Sequence, residues 1–454
     1  MKLQTITSSW LGAVVLLASA ISTQVEAQAQ AELTSWHYNT DGATGHYYTN
    51  AGGIVDTGVE CDIEQVQYSD EFVYVSCAGL PRYLTAPFPD GNPSNPTNQN
   101  HLFKIPRNPV FQTGAPTMTG LGHIAVLVNG VPIFNAADAM SYGNNNIWHQ
   151  CAVFFENGGF DCAKGHPAMG AYHHHQLPTR FDSAVEPQSD VCDDFPSDAL
   201  IALDPSLHSP LIGWAWDGYP IYGPFGFDGV DGGGIVRIAS SYALRDITVR
   251  VTLADGTALS PWQFGPDVGA MVTPAIPPGA SPVPAELGAY MEDYEFVEGL
   301  GHLDEYNGRF AVTPEFPDGI YAYYATIDAS FNSAYPYFFP FYRGVVETDN
   351  FPGPGGGVVI DEVVETYNPL DDIGQLGTIQ SLPVAFPQPA SNRLSFAGDL
   401  PIRARLLDAS GRVVLTEDAA AWAAGVDVSD LPAGLYLWSG VGADQPALRV
   451  VIAH

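Results

Sequence analysis

Basic residues are scarce in this chain of 454 residues. Sixteen lysines and arginines face fifty aspartates and glutamates, and lysine occurs only at Lys2, Lys104 and Lys164. So acidic a surface repels phosphate backbones and anionic lipid headgroups, which excludes nucleic acid as an expected partner. It could suit cations, but a solvated surface suited to a saline medium is the favoured reading, so acidity alone gives no site. Long apolar runs are also missing: beyond the N-terminus none could cross a membrane as a helix. Helical periodicity is rare. No Gly-x-Ser-x-Gly, phosphate-binding loop, dinucleotide fingerprint or His-Glu-x-x-His occurs, which argues against the enzyme classes those motifs serve.

The N-terminus reads as a targeting segment. Lys2 gives a basic start, Trp10 to Ile21 is apolar but too short to span a bilayer, and Ala27-Gln28-Ala29 is a small-x-small cleavage pattern. Residues 1–29 are therefore expected to be a signal peptide, with the mature chain secreted to the outer cell surface or the medium. Cysteine is limited to five residues, which in an exported chain suggests disulfides. Cys61 and Cys77 flank a strand-turn-strand pattern and can staple it. Cys162 can pair with Cys192 or with Cys151, and the sequence does not choose.

What is abundant is the punctuation of β structure. From Leu33 to about Val346, short β-branched and aromatic runs alternate with Gly, Pro, Asn and Asp. Ile124–Val128 and Val131–Phe134 around Asn129-Gly130 predict a hairpin, with Pro132 pushing the second strand toward an edge. Ile235–Ile238, Ile247–Leu253 and Ile320–Ile327 are further strand candidates, and Trp262 to Pro284 reads as an extended loop. The expected fold class is mainly β: a β-rich domain with long loops over residues 30–349, a Gly/Pro-containing linker over 350–382, and a small β-sandwich over 383–454. In that last segment, Phe386-Pro387-Gln388-Pro389, Asp408-Ala409-Ser410-Gly411-Arg412, Leu431-Pro432-Ala433-Gly434-Leu435-Tyr436 and a terminal apolar strand resemble the sorting domain of type IX secretion substrates. The resemblance implies the type IX machinery as a partner, followed by surface anchoring or release.

Five of the twelve histidines fall between His166 and His208. Imidazole is a strong transition-metal donor. In an extended strand His173 and His175 share one face while Tyr172 and His174 share the other. A third nitrogen from His166, in a Gly-His-Pro turn, or from His208 would complete an open three-histidine site for copper or zinc. The plain alternative is that the histidines build the core.

Several motifs in fixed order carry a second resemblance. Gly165-His166-Pro167, Tyr172-His173-His174-His175, His208-Ser209-Pro210, Asp217-Gly218-Tyr219-Pro220, Leu303-Asp304-Glu305-Tyr306-Asn307-Gly308 and Tyr321-Ala322-Tyr323-Tyr324 resemble the YHYH domain family over about residues 120–345. His174 replaces the second tyrosine of the name-giving motif. The family implies a fold and an extracellular setting, with little settled biochemistry. Two further functions compete with metal binding. A metal-dependent hydrolase or oxidoreductase would need a general base, for which Asp217 or Glu305 is available, and Asp217 can alternatively orient a ligating histidine. A structural or adhesive surface protein would use the histidines and aromatics, Phe338 to Tyr342 especially, for packing alone. Calcium is a minor expectation at Asp228–Gly234 or at the acidic patch of Glu292, Asp293, Glu295, Asp304 and Glu305.

Overall fold

The computed structural model describes residues 31–49, 53–90, 92, 94–178, 205–274, 281–351, 357–369, 384–386, 390–397, 400, 403–408, 412–440 and 448–453. The segment read as a signal peptide and Cys192 lie outside the described residues. The chain forms two compact units, one ending at Tyr367 and one beginning at Asn368.

The first unit is mainly β, as the alternation of apolar runs and turn residues requires. Its central sheet has eight strands: β1 (His123–Leu127), β2 (Pro132–Phe134), β3 (Gly165–Ala168), β4 (Ala171–His174), β5 (Leu211–Ala215), β6 (Pro220–Tyr222), β7 (Gly308–Ala311) and β8 (Ile320–Tyr324), in the order β3-β4-β2-β1-β5-β6-β8-β7. β5 is buried at every position, so its continuous apolar run Leu-Ile-Gly-Trp-Ala is that of a strand covered on both faces. A four-stranded sheet of Glu365–Tyr367, Ile63–Tyr68, Phe72–Cys77 and His101–Pro106 shares its core: Ile63, Val66, Val75 and Phe103 cluster with Val126, Ile133, Trp214, Ile221 and Tyr323. Residues of the segment read as linker thus supply a strand of this unit, since Glu365–Tyr367 pairs with Ile63–Tyr68.

Three local expectations change. The hairpin at Asn129-Gly130 forms, but β2 is interior. Pro132 is accommodated because the pairing of β2 with β4 is confined to Ile133 and His174, so no backbone N–H is required at position 132. Ile247–Leu253 is not a strand. Its Arg250 is fully buried and paired with Asp293 at 2.6 Å, and that ion pair organises the segment where a ladder would otherwise do so. Within Trp262–Pro284, Met271–Val272 pairs with Val283–Pro284.

The cysteine pairings change too. Cys61, Cys77 and Cys151 are free, buried thiols, which overturns both a Cys61–Cys77 staple and a Cys151–Cys162 bridge. Their sulfurs point to different partners: Cys61 Sγ to the Ala43 carbonyl, Cys77 Sγ to the Gly130 carbonyl and Cys151 Sγ to the Tyr337 hydroxyl. Cys162 is not among the free thiols.

The second unit is a small sandwich. A sheet of Val384–Phe386, Arg393–Ala397 and Val426–Asp427 and a sheet of Val413–Asp418, Arg403–Leu407, Gly434–Gly440 and Leu448–Ile452 enclose Leu394, Phe396, Leu406, Trp422 and Trp438. Helix Ala419–Ala424 places Trp422 in that core, capped by Asp418, whose carboxylate accepts from the Ala421 N–H.

Candidate metal centre

The histidine site is built on the hairpin of β3 and β4. Its two-residue turn, Met169-Gly170, has both residues at positive φ (51° and 91°), the geometry that matches the twist of an antiparallel pair. A Cβ on Gly170 would collide with the Thr97 side chain, which adds a second demand for glycine there. This turn fixes the register. His166 stands directly opposite His173, and Gly165 opposite His174. His166 therefore lies within a strand, not in the expected turn. Pro167 is tolerated because β3 is the edge of the sheet.

Period-two alternation does the rest. His173 and His175 face one side of β4 and meet His166, so that one donor nitrogen from each lies within 4.8 Å of the others. All three residues are buried. Phe134 stacks on the His173 ring at 3.8 Å, and Phe160 meets His166 edge-on at 4.8 Å. Burial pushes the proton affinity of His175 down to about 4 and that of His173 and His166 well below the usual value; neighbouring imidazoles add to the effect at His173 and His166. At neutral pH all three are uncharged.

Their tautomers follow from hydrogen bonds. His173 Nδ1 lies 2.9 Å from the Ala171 carbonyl and His175 Nδ1 lies 2.6 Å from the Asn135 carbonyl. A carbonyl only accepts, so each Nδ1 carries the hydrogen and each Nε2 is left with a lone pair. Those two Nε2 atoms face each other at 3.2 Å. Two lone pairs at that distance, with no proton between them, repel. A cation between them removes the conflict, and zinc–imidazole bonds of about 2.0–2.1 Å place neighbouring donors a little over 3 Å apart.

A fourth donor completes the cluster, and sequence reasoning missed it. Glu156 follows the short helix Ala152–Phe155 and sends Oε2 to 3.6 Å from Nε2 of both His166 and His175. That oxygen is buried and has no hydrogen-bond partner among the described residues. Burial, with the carboxylates of Asp138 and Asp90 nearby, pushes the Glu156 carboxyl up to about 8. A bound cation would reverse that by favouring the carboxylate.

The remaining named residues lie elsewhere. His208 Nδ1 donates to the Ser209 carbonyl at 2.8 Å, and its ring packs on Tyr222 and Phe227; it is not part of the cluster. Asp217 is buried and is not part of the histidine cluster. It accepts from the Tyr323 hydroxyl at 2.5 Å and the Gly344 N–H at 2.8 Å, a structural clamp. Glu305 is exposed, with its backbone carbonyl held by the Tyr242 hydroxyl. The calcium expectation also finds no support. Asp228–Gly234 folds as the tip of a hairpin between Phe225–Gly229 and Gly232–Arg237. In the acidic patch Glu292 pairs with His149, Asp293 with Arg250, and Asp304 accepts from the Tyr321 hydroxyl. Among the described residues, the three histidines are the one group of three such donors that converges.

The fold and this cluster define a mainly β protein whose buried imidazoles can hold a metal ion. Residues 102–335, just over half of the chain, match the family described as YHYH protein, and the chain belongs to that family. No curated protein and no solved structure matches it.

Proposed function

We propose that this is an exported protein that holds one transition-metal ion, copper or zinc, through His166, His173 and His175, with Glu156 as an oxygen donor. The observation that carries the proposal is the pair of opposed Nε2 lone pairs at 3.2 Å, each fixed by a backbone carbonyl on the other ring nitrogen. The buried, unpartnered Glu156 oxygen beside them supports the same reading. Three imidazoles suit copper and zinc. Glu156 adds the carboxylate that the sequence reading did not have, so iron belongs among the metals assayed. Binding is favoured over catalysis because neither general base named from the sequence is at the cluster: the Asp217 carboxylate is held by Tyr323 and Gly344, and Glu305 is exposed.

Export to the cell surface or medium is supported by the Lys2–Ala29 pattern and by a C-terminal β-sandwich carrying motifs like those of type IX sorting domains. A Cys162–Cys192 bridge fits that setting, since the other three cysteines are free. The test is elemental analysis of the full chain purified from an oxidising compartment. One equivalent of metal is expected. It is absent in His173→Ala/His175→Ala and bound at least about tenfold more weakly in Glu156→Gln, as for removal of a supporting donor. Full metal retention in the double variant would falsify the assignment.

A further inference from the structure

A cavity of about 570 Å³ opens beside the histidine cluster, with Asn135, whose carbonyl holds His175, in its wall. Its size lies in the range of about 300–1,000 Å³ typical of small-molecule sites. Tyr242, Tyr335 and Met291 line it together with Met118 and Leu121, which are exposed at 68 % and 57 %. The lining also includes Thr119, Ser141, Asn146 and Asp255, and one polar pair in it is held rigidly. His149 Nδ1 donates to Glu292 Oε1 at 2.5 Å, and Glu292 Oε2 also accepts the His149 backbone N–H at 2.8 Å. The carboxylate thus grips both the ring and the main chain and leaves the ring only one orientation. The other ring nitrogen, Nε2, bonds the Asn146 side-chain oxygen at 3.2 Å, an exposed contact. An amide oxygen accepts, so Nε2 carries a hydrogen.

We propose that this cavity binds a neutral aromatic molecule bearing a carbonyl or phenolic oxygen. The ring lies among the tyrosines and methionine, and the oxygen accepts from His149 Nε2–H in place of the exposed Asn146 side chain. Three observations select that chemistry. The aromatic and thioether lining favours a flat ring. The His149–Glu292 pair is neutral as a unit, so it offers a directed donor without a net charge to attract an ion. The chain as a whole carries a formal charge of −34, which disfavours anions. The proposal does not depend on the metal.

Methyl 4-hydroxybenzoate, neutral at pH 6.5, is the probe, titrated calorimetrically into the full chain in the presence of EDTA. Chelation keeps the result separate from the metal reading. Saturable one-to-one binding is expected, with ethylbenzene, which has the ring but no oxygen, at least tenfold weaker. His149→Phe should weaken the ester at least tenfold while leaving ethylbenzene unchanged. Leu121→Trp, at an exposed position where folding is not at risk, should obstruct the opening and weaken both. Absence of saturable binding up to millimolar probe would overturn the proposal, as would equal affinity of the wild type and both variants.

Discussion

The two faces of β4 carry similar residues and have opposite characters. On one face Tyr172 and His174 are fully engaged. His174 Nδ1 donates to the Lys164 carbonyl at 3.0 Å, its Nε2 accepts from the Tyr83 hydroxyl at 2.8 Å, and the Tyr172 hydroxyl bonds both oxygens of Asp161. On the other face His173 and His175 have one nitrogen satisfied each and turn the other toward its twin. Both faces are buried, and both sets of histidines are held neutral by burial. Burial therefore does not distinguish a site from a core. The distinction is whether every lone pair has a hydrogen to accept. One face is a closed polar network and the other is a set of open donors.

The strongest test of that contrast separates metal from stability. Asp161 accepts from the Ala86, Ala163 and Gly165 N–H groups as well as from Tyr172. Asp161→Ala would remove this shared acceptor from three buried N–H groups and a hydroxyl, at a cost of about 3–5 kcal/mol by analogy with breaking buried networks. The metal-free His173→Ala/His175→Ala protein should lose less than that, because truncation also removes the repulsion between the two lone pairs. Denaturant titration of both chains in chelator decides it. A double variant as unstable as Asp161→Ala would mean that both faces are structural.

Acid provides the next effect. In the folded protein burial holds His174 unprotonated down to about 4, whereas an unfolded histidine takes up its proton near 6.5. Between those values the unfolded chain binds more protons, so the contribution of His174 to stability is present above about pH 6.5 and is lost as pH falls toward 4. The displacement corresponds to about 3 kcal/mol. His174→Gln keeps an amide able to serve Lys164 and Tyr83 but does not titrate. The wild type should thus lose stability relative to this variant as pH falls from 6.5 to 4. Parallel stability–pH curves for the two would show that His174 is not held neutral by the network.

Much of this was legible in the residues, by period and by punctuation. Mainly β architecture followed from short apolar runs between Gly, Pro and Asn. The shared face of His173 and His175 followed from the two-residue repeat of a strand. Glu156 was not legible: it follows a four-residue helix, away from the strands that carry the histidines, and only tertiary packing brings it within 3.6 Å of them. Its one signal is a lone acid between Phe154-Phe155 and a glycine turn, an expensive place for a charge. The register of β3 with β4 was hidden as well, because Met169-Gly170 does not advertise a hairpin turn as Asn-Gly or Asp-Gly does. Free cysteines at 61, 77 and 151 were misread because the disulfide expectation rested on an expected compartment and not on where each sulfur points.

The smallest effect is expected at His208, and it bears on the same contrast. Sequence proximity placed this residue with the cluster, but the fold gives it a third environment: one nitrogen on the Ser209 carbonyl, the ring between Tyr222 at 5.2 Å and Phe227 at 5.0 Å, and a buried Nε2 without a partner among the described residues. An open nitrogen is thus present here as it is at His173, but among the described residues it joins no converging group of three donors. Convergence, not a single unsatisfied atom, is what makes a metal site, because one imidazole gains too little from a cation to hold it against water. His208→Ala should leave metal stoichiometry unchanged and cost about 1 kcal/mol through lost ring contacts. Loss of the metal in this variant, with the fold intact by circular dichroism, would show that a single buried lone pair can belong to the site from outside the cluster.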